Sequence, residues 1–171
     1  MIEFISTHFS DEFSTDAFTS GKTALDRWLF EHAKTAQAKR IAQVFVWHSH
    51  GDTAVRAYFT LSAHEIVADD LPRRLHRGMP DKIPAILLGK LALDQSLHGH
   101  GLGGQLLYDV YQRVLTVSRD LGARYLVVDA LDDEAATFYE HYGFTRMIGE
   151  HSLRLVRKVS DLEADVDVWS D

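Results

Sequence analysis

The sequence predicts an α/β fold with a mixed, mostly antiparallel sheet, one parallel crossover and flanking helices. Three observations predict it. The apolar run AILLGKLALD is followed by the clearest helical pattern in the chain and then by a second apolar run, YLVVDA, the order of a parallel strand–helix–strand crossover. Upstream, VFVWHS and AVRAYFTLSAHEI flank the turn HGDT and read as a hairpin of two long strands. Downstream, FTRMI and SLRLVRKV are two closing strands.

The 171 residues fit one domain, expected over 1–159, with an acidic tail over 160–171. The composition is ordinary for a globular protein: 46% hydrophobic, 11% aromatic and 25% charged. With no cysteine, a disulfide scaffold, a thiolate metal site and a cysteine nucleophile are excluded. No apolar run approaches the roughly 20 residues that span a membrane. The N-terminus, MIEFISTHFSDEF, has acids where a signal peptide needs bases. A cytoplasmic protein with no membrane partner is therefore expected.

Element by element, IEFIS is a short strand. Ser20-Gly21 starts a helix with Leu25, Trp28, Leu29, His32, Ala33 and Ala36 at helical spacing. After the hairpin, Asp69 to Pro84 is polar and bounded by prolines, and reads mainly as a surface loop with room for a short helix. In the crossover helix Gly103, Leu106, Leu107, Val110, Val114, Val117 and Leu121 fall on one face, with Gly122 where a stop belongs. YLVVDA is apolar on both faces, as a covered parallel strand should be. Asp132 or Asp133 caps a short helix to Tyr142, stopped by Gly143.

The chemistry concentrates at His98-Gly99-His100-Gly101-Leu102-Gly103-Gly104, between a strand and a helix. Glycine lets the backbone approach an anion closely, and the first amides of a helix are free donors at the positive end of its dipole. A phosphate cradle is one reading; a tight turn that needs glycine only for its geometry is the other. Gly99, Gly101 and Gly104 match a dinucleotide fingerprint, but that fold needs two multi-strand parallel halves and only one crossover is found. A Walker loop is excluded, because no Gly-Lys-Ser/Thr follows.

On these residues the chain resembles the GNAT acetyltransferase superfamily, whose loop signature is Gln/Arg-x-x-Gly-x-Gly/Ala before a long helix. Here the stretch is His98 to Gly103, with His98 departing from the first position. A second segment, Asp132 to Phe144, is similar to the superfamily's Asn-x-x-Ala-x-x-Phe/Leu-Tyr…Gly-Phe, with Asp132 in place of the Asn. Phe18 to Leu29 and Pro80 to Ala92 resemble one branch, the acetyltransferase toxins of bacterial toxin–antitoxin pairs.

The resemblance implies acetyl-CoA as the acetyl donor. Leu91, Ala92 and Leu93 would hold its pantetheine arm, and His98, Gly99, His100, Gly101, Leu102, Gly103 and Gly104 its pyrophosphate. Asp132 and Phe138 belong to the same implied cofactor set, and Tyr139 aligns with the tyrosine that faces the leaving sulfur. His98 and His100 are expected to keep donors near the diphosphate. The branch implies N-acetylation of aminoacyl-tRNA, a ribbon–helix–helix antitoxin as partner, and a homodimer is expected. Other acceptors, a protein amine or a small-molecule amine, stay open, as does a non-catalytic CoA-binding module.

A free phenol has a pKa of about 10 and a thiol about 8.5, so Tyr139 suits hydrogen-bond donation to a developing thiolate better than full proton transfer. Packing is the other reading, since Phe138 and Tyr142 lie at helical spacing beside it. An α-amino group, at about 8, needs little help to lose its proton, and His64 and Glu65 are the candidate bases. The two His-x-His pairs, His48/His50 and His98/His100, have no evident third ligand, so no metal site is expected.

The net charge of −7 argues against a nucleic-acid partner at first. Its distribution softens the argument: residues 32–160 hold 16 bases against 14 acids. For an RNA acceptor the candidate contacts are Arg73, Arg74 and Arg77, with Lys34, Lys39 and Arg40. A polyamine acceptor would instead be drawn to Asp129, Asp132 and Asp133.

Overall fold

The computed structural model describes residues 3–149 and 153–170, with the side chain of Ser170 left aside. Ile2 of the first expected strand, Ser152 of the last and Asp171 of the tail lie outside the described residues. Seven strands form one sheet in the order β1-β2-β3-β4-β5-β7-β6. The chain divides into two compact units, Met1–Ser62 with Gly89–Val110 and Ala63–Leu88 with Tyr111–Asp171. The sequence predicts a single domain over 1–159.

In the first unit, β1 (Ile5–His8) pairs antiparallel with β2 (Gln43–His48). The expected hairpin forms: β2 pairs antiparallel with β3 (Ala57–Val67) from Gln43↔Leu61 to Trp47↔Ala57. Phe18, Leu29, Ala33, Val44, Val46 and Tyr58 build this unit's core. The expected first helix is two. Helix α1 (Thr23–Glu31) begins three residues after Ser20, because the Ser20 amide and hydroxyl both donate to Asp26 Oδ1, at 2.9 and 2.6 Å, and hold Ser20-Gly21 as a turn. Gly21 supplies the φ of +87° that this turn requires. His32 leaves helical geometry at φ −124° and ψ −21°, and α2 (Ala33–Ala38) restarts beyond it.

In the second unit, the stretch read mainly as a surface loop holds the short helix it left room for, α3 (Arg73–His76), and a 3-10 turn at Ala68–Asp70 leads into it. Buried Leu71 and Ile83 anchor the stretch at either end. Strand β4 (Lys82–Leu93) starts three residues before the expected Ala85. It pairs in parallel with β5 (Tyr125–Asp129) from Ala85↔Tyr125 to Leu88↔Val128. Four of the five β5 residues are buried, the cover on both faces that its apolar run implies. β7 (Arg154–Lys158) pairs antiparallel with β5, and the two-residue β6 (Thr145–Arg146) pairs with β7.

The crossover helix α4 (Leu102–Ser118) buries Leu106, Leu107, Val110 and Val114 as expected. Val117 and Leu121 depart from the expected face: they are 44% and 58% exposed. The helix stops at Ser118, whose hydroxyl turns back to the Leu115 carbonyl at 3.0 Å, so Gly122 is not its stop. Helix α5 (Asp133–His141) is capped by Asp132 and followed by Gly143 at φ +90°. The acidic end is a helix as well: α6 (Val159–Ser170), held by the Arg157–Asp165 ion pair and by Trp169 stacked on Tyr111 at 5.9 Å. None of the described helices is long and apolar enough to cross a membrane.

Candidate active site

The glycine loop belongs to the first unit and starts where β4 ends. Ala92 is buried there, with Leu91 and Leu93 half-buried on either side. Asp94, 8% exposed, organises the exit. Its Oδ1 accepts from the Ser96 amide at 3.0 Å and the Ser96 hydroxyl at 2.7 Å, and its Oδ2 from the Thr19 amide at 3.2 Å. Burial would raise its pKa; the Ser96 and Thr19 hydrogen bonds, with the Arg56 charge, outweigh it and hold the carboxyl below its ordinary value. The main chain is tied down beside it: the Asp94 amide donates to Arg56 and the Gln95 amide to Thr19.

One 3-10 turn (Gln95–Leu97) then leads to His98. Gly99 and Gly101 follow at φ +80° and +73°, a region that side-chain-bearing residues rarely adopt. A Cβ at either would meet nothing within 4 Å, so conformation, not room, requires glycine. Leu102 is buried and starts α4, Gly103 and Gly104 are half-buried in its first turn, and His100 is exposed. His98 differs from expectation. Its Nε2 lies 2.8 Å from the Leu93 carbonyl, which can only accept, so Nε2 carries the proton. That nitrogen is therefore spent on the main chain and is not offered to a diphosphate. His98 fastens the loop to β4.

The tyrosine segment belongs to the second unit. Asp132 caps α5 by accepting from the Ala135 amide at 2.9 Å, which gives it a structural task at the position of the implied cofactor residue. Tyr139 is 5% exposed, edge-on to Phe138 at 5.3 Å and to Phe144 at 5.5 Å. The half-buried Phe138 also meets Tyr142 at 5.1 Å. Other buried tyrosines commit their hydroxyls: Tyr58 donates to Leu25, Tyr125 to Leu75, and Tyr111 accepts from Arg157. The Tyr139 hydroxyl makes no hydrogen bond with any described residue. Burial first, then Tyr111 and Asp129, push its pKa above that of a free phenol.

Among the other candidates, His64 is half-buried and Glu65 exposed. Burial and the Arg154 charge lower the His64 pKa against the opposing pull of Asp129 and Glu65. Arg73, Arg74 and Arg77 are exposed on and just after α3, and Arg74 donates to the Thr145 hydroxyl at 3.2 Å. Lys34 pairs with Asp11 at 3.0 Å. Asp129 pairs with Arg154 at 2.7 Å, and Asp133 lies 3.5 Å from Arg146. Asp94 went unread in the sequence except as a spacer, although an Asp two residues before a Ser is a recognisable cap.

No family model matches the chain. The tRNA-acetylating toxin of Mycobacterium tuberculosis (strain ATCC 25618 / H37Rv) is 36% identical over 135 residues, covering 79% of this chain and 80% of the relative. The chain belongs to the GNAT-fold family of tRNA-acetylating toxins. A second relative, the probable toxin TacT of Sinorhizobium fredii (strain NBRC 101917 / NGR234), is 29% identical over 137 residues, 75% of this chain and 76% of its own. Solved toxins of this kind superpose closely. A tyrosine-to-phenylalanine mutant of KacT has a TM-score of 0.88 at 29% identity, covering 94% of this chain and 98% of that one. AtaT complexed with acetyl-methionyl-tRNAfMet gives 0.87 at 26%, covering 95% and 98%. An AtaT mutant bound to acetyl-CoA and the C-terminus of the antitoxin AtaR gives 0.82 at 26%, covering 94% and 96%.

Proposed function

We propose that this chain transfers the acetyl group of acetyl-CoA to the α-amino group of an aminoacyl-tRNA, as the toxin of a toxin–antitoxin pair. The kinship to a tRNA-acetylating toxin, across about four-fifths of each chain, carries the proposal. The solved AtaT complexes with acetyl-methionyl-tRNAfMet and with acetyl-CoA and AtaR support it. The reading has a ribbon–helix–helix antitoxin as partner, a homodimer as working form and the cytoplasm as compartment.

Acetyl-CoA supplies the thioester. In this reading the amides opened by Gly99, Gly101 and the first turn of α4 hold its diphosphate, and the main chain of Leu91 to Leu93 holds its pantetheine arm. Phe138 and Asp132 act through α5, one by packing on Tyr139 and the other by capping the helix. Tyr139 donates a hydrogen bond to the sulfur as the carbon–sulfur bond breaks and the carbon–nitrogen bond forms. Its raised pKa makes complete proton transfer to a thiolate, at about 8.5, still more uphill than for a free phenol. The sulfur's proton therefore comes in the end from the amine. An α-amino group with a pKa of about 8 is already about one-tenth neutral at pH 7, so no strong base is required. Burial and the Arg154 charge hold the His64 pKa below its ordinary value, which favours the neutral imidazole that a base requires.

The experiment is acetylation of a charged-tRNA pool beside a panel of protein and small-molecule amines, with labelled acetyl donor. Label on the aminoacyl group supports the proposal; label on another amine alone overturns the acceptor. No label on any amine, with acetyl-CoA bound, would make the chain a CoA-binding module. The polyamine alternative is weakened, because Asp129 pairs with Arg154 and Asp133 lies near Arg146.

A further inference from the structure

Thr60 is 4% exposed, on the β3 face that carries Tyr58. Its neighbour across the sheet in β2 is Val44, fully buried and apolar. On its other side is Gly89 of β4, where an added Cβ would lie 3.1 Å from Thr60 Oγ1. The Thr60 hydroxyl makes no hydrogen bond with any described residue. None of the described side-chain oxygens sealed from solvent lacks a partner, so this one keeps a narrow access to solvent. The rest of the face is committed: Tyr58 donates to the Leu25 carbonyl at 2.6 Å, Trp28 stacks on Tyr58 at 6.0 Å, and the Lys90 ammonium lies 5.3 Å over Trp28. Valine would fill nearly the same volume, so packing alone does not require a hydroxyl at this position. Gly89, next to Lys90 on the strand assigned to the donor, carries no side chain beside it; a Cβ there would crowd Oγ1 and meet nothing else within 4 Å.

We propose that Thr60 binds the acceptor amine, its Oγ1 accepting a hydrogen bond from an amine N–H in the space that Gly89 leaves open. The amine lone pair then stays free to attack the thioester carbonyl. This rests on the acetyltransferase reading and deepens it by naming a residue for the acceptor. The class of ligand is a neutral primary amine, since an uncharged N–H donor needs only an acceptor oxygen and no counter-charge.

The test compares wild type, Thr60→Val, Thr60→Ser and Gly89→Ala in steady-state acetylation of aminoacyl-tRNA. Thr60→Val should unfold at the same temperature as wild type or higher, because no internal hydrogen bond is lost. It should keep the KM for acetyl-CoA and lose about five- to tenfold in kcat/KM for the acceptor, the range for one hydrogen bond. Thr60→Ser should restore most of that loss, and Gly89→Ala, whose backbone does not require glycine, should reproduce it. Equal kcat/KM in Thr60→Val, or an equal loss toward both substrates, overturns the inference. If wild type acetylates some other amine, the acceptor assignment fails, and the same ratio measured on that amine decides Thr60. If wild type acetylates none, both fail.

Discussion

His98 donates its Nε2 proton to the Leu93 carbonyl across 2.8 Å and so fastens the glycine loop to the end of β4. The bond replaces freedom in a segment whose two glycines both have positive φ. Removing it leaves the loop to be ordered at the expense of binding. His98→Ala should weaken acetyl-CoA binding about three- to tenfold, the worth of one net hydrogen bond, and leave kcat nearly unchanged. Calorimetric titration with acetyl-CoA checks this; an unaltered Kd would mean that the histidine holds nothing the donor needs.

Asp94 does the same work at the start of the loop and adds a pH dependence. Its folded-state pKa lies below the ordinary carboxylate value. A depressed acid contributes stability that is present above the unfolded pKa, about 3.9, and lost as pH falls through the folded value. Asp94→Asn should therefore lower stability by about 1–2 kcal/mol at pH 7. The gap between variant and wild type should close below about pH 3.9. Urea midpoints at several pH values test it, and a gap that persists at the lowest pH would point to packing instead of charge.

Much of this was legible in the residues. YLVVDA announces a strand covered on both faces, and the cap at Asp132 with the stop at Gly143 brackets α5. Other features were hidden for identifiable reasons. Ala33 and Ala36 continue the apolar spacing of Leu25 and Leu29, so nothing in the pattern marks the break at His32. The acids of α6 mask its attachment through Trp169 on Tyr111 and Asp165 on Arg157. In the candidate site, glycine spacing reveals a loop, but only geometry shows that His98 points to main chain and that the Tyr139 hydroxyl is uncommitted.

That uncommitted hydroxyl makes Tyr139→Phe a clean removal. No hydrogen bond with a described residue is lost, so the thermal midpoint should not fall, and acetyl-CoA affinity should hold. If Tyr139 donates to the developing thiolate, kcat should drop about 100-fold, the scale for losing one such donor. Because its pKa is pushed well above 10, wild-type turnover should rise as the acceptor amine deprotonates near pH 8 and show no downturn near pH 10 from tyrosine ionisation. Single-turnover rates across pH 6–10 separate these outcomes. Equal rates in the two proteins would leave Tyr139 as core.

The arginines on and after α3 bear on the acceptor alone. Arg73, Arg74 and Arg77 are exposed, and among the described residues the Arg74 side chain bonds to the Thr145 hydroxyl alone. Reversing all three to Glu should therefore shift stability little, since exposed substitutions stay within about 0.5 kcal/mol each. Each cation that neutralises an RNA phosphate contributes roughly 0.7 to 0.9 to the slope of log affinity against log salt. If all three do so, the triple variant should weaken aminoacyl-tRNA binding at least tenfold at 150 mM salt and reduce the slope by roughly 2 to 3. Acetyl-CoA affinity should stay at the wild-type value, because the loop that would hold the diphosphate contains none of these residues. Filter binding over a salt series, with calorimetry of the donor alongside, reads both arms. Unchanged tRNA affinity and slope would move the RNA contacts to another face, with Lys39 and Arg40 next in line.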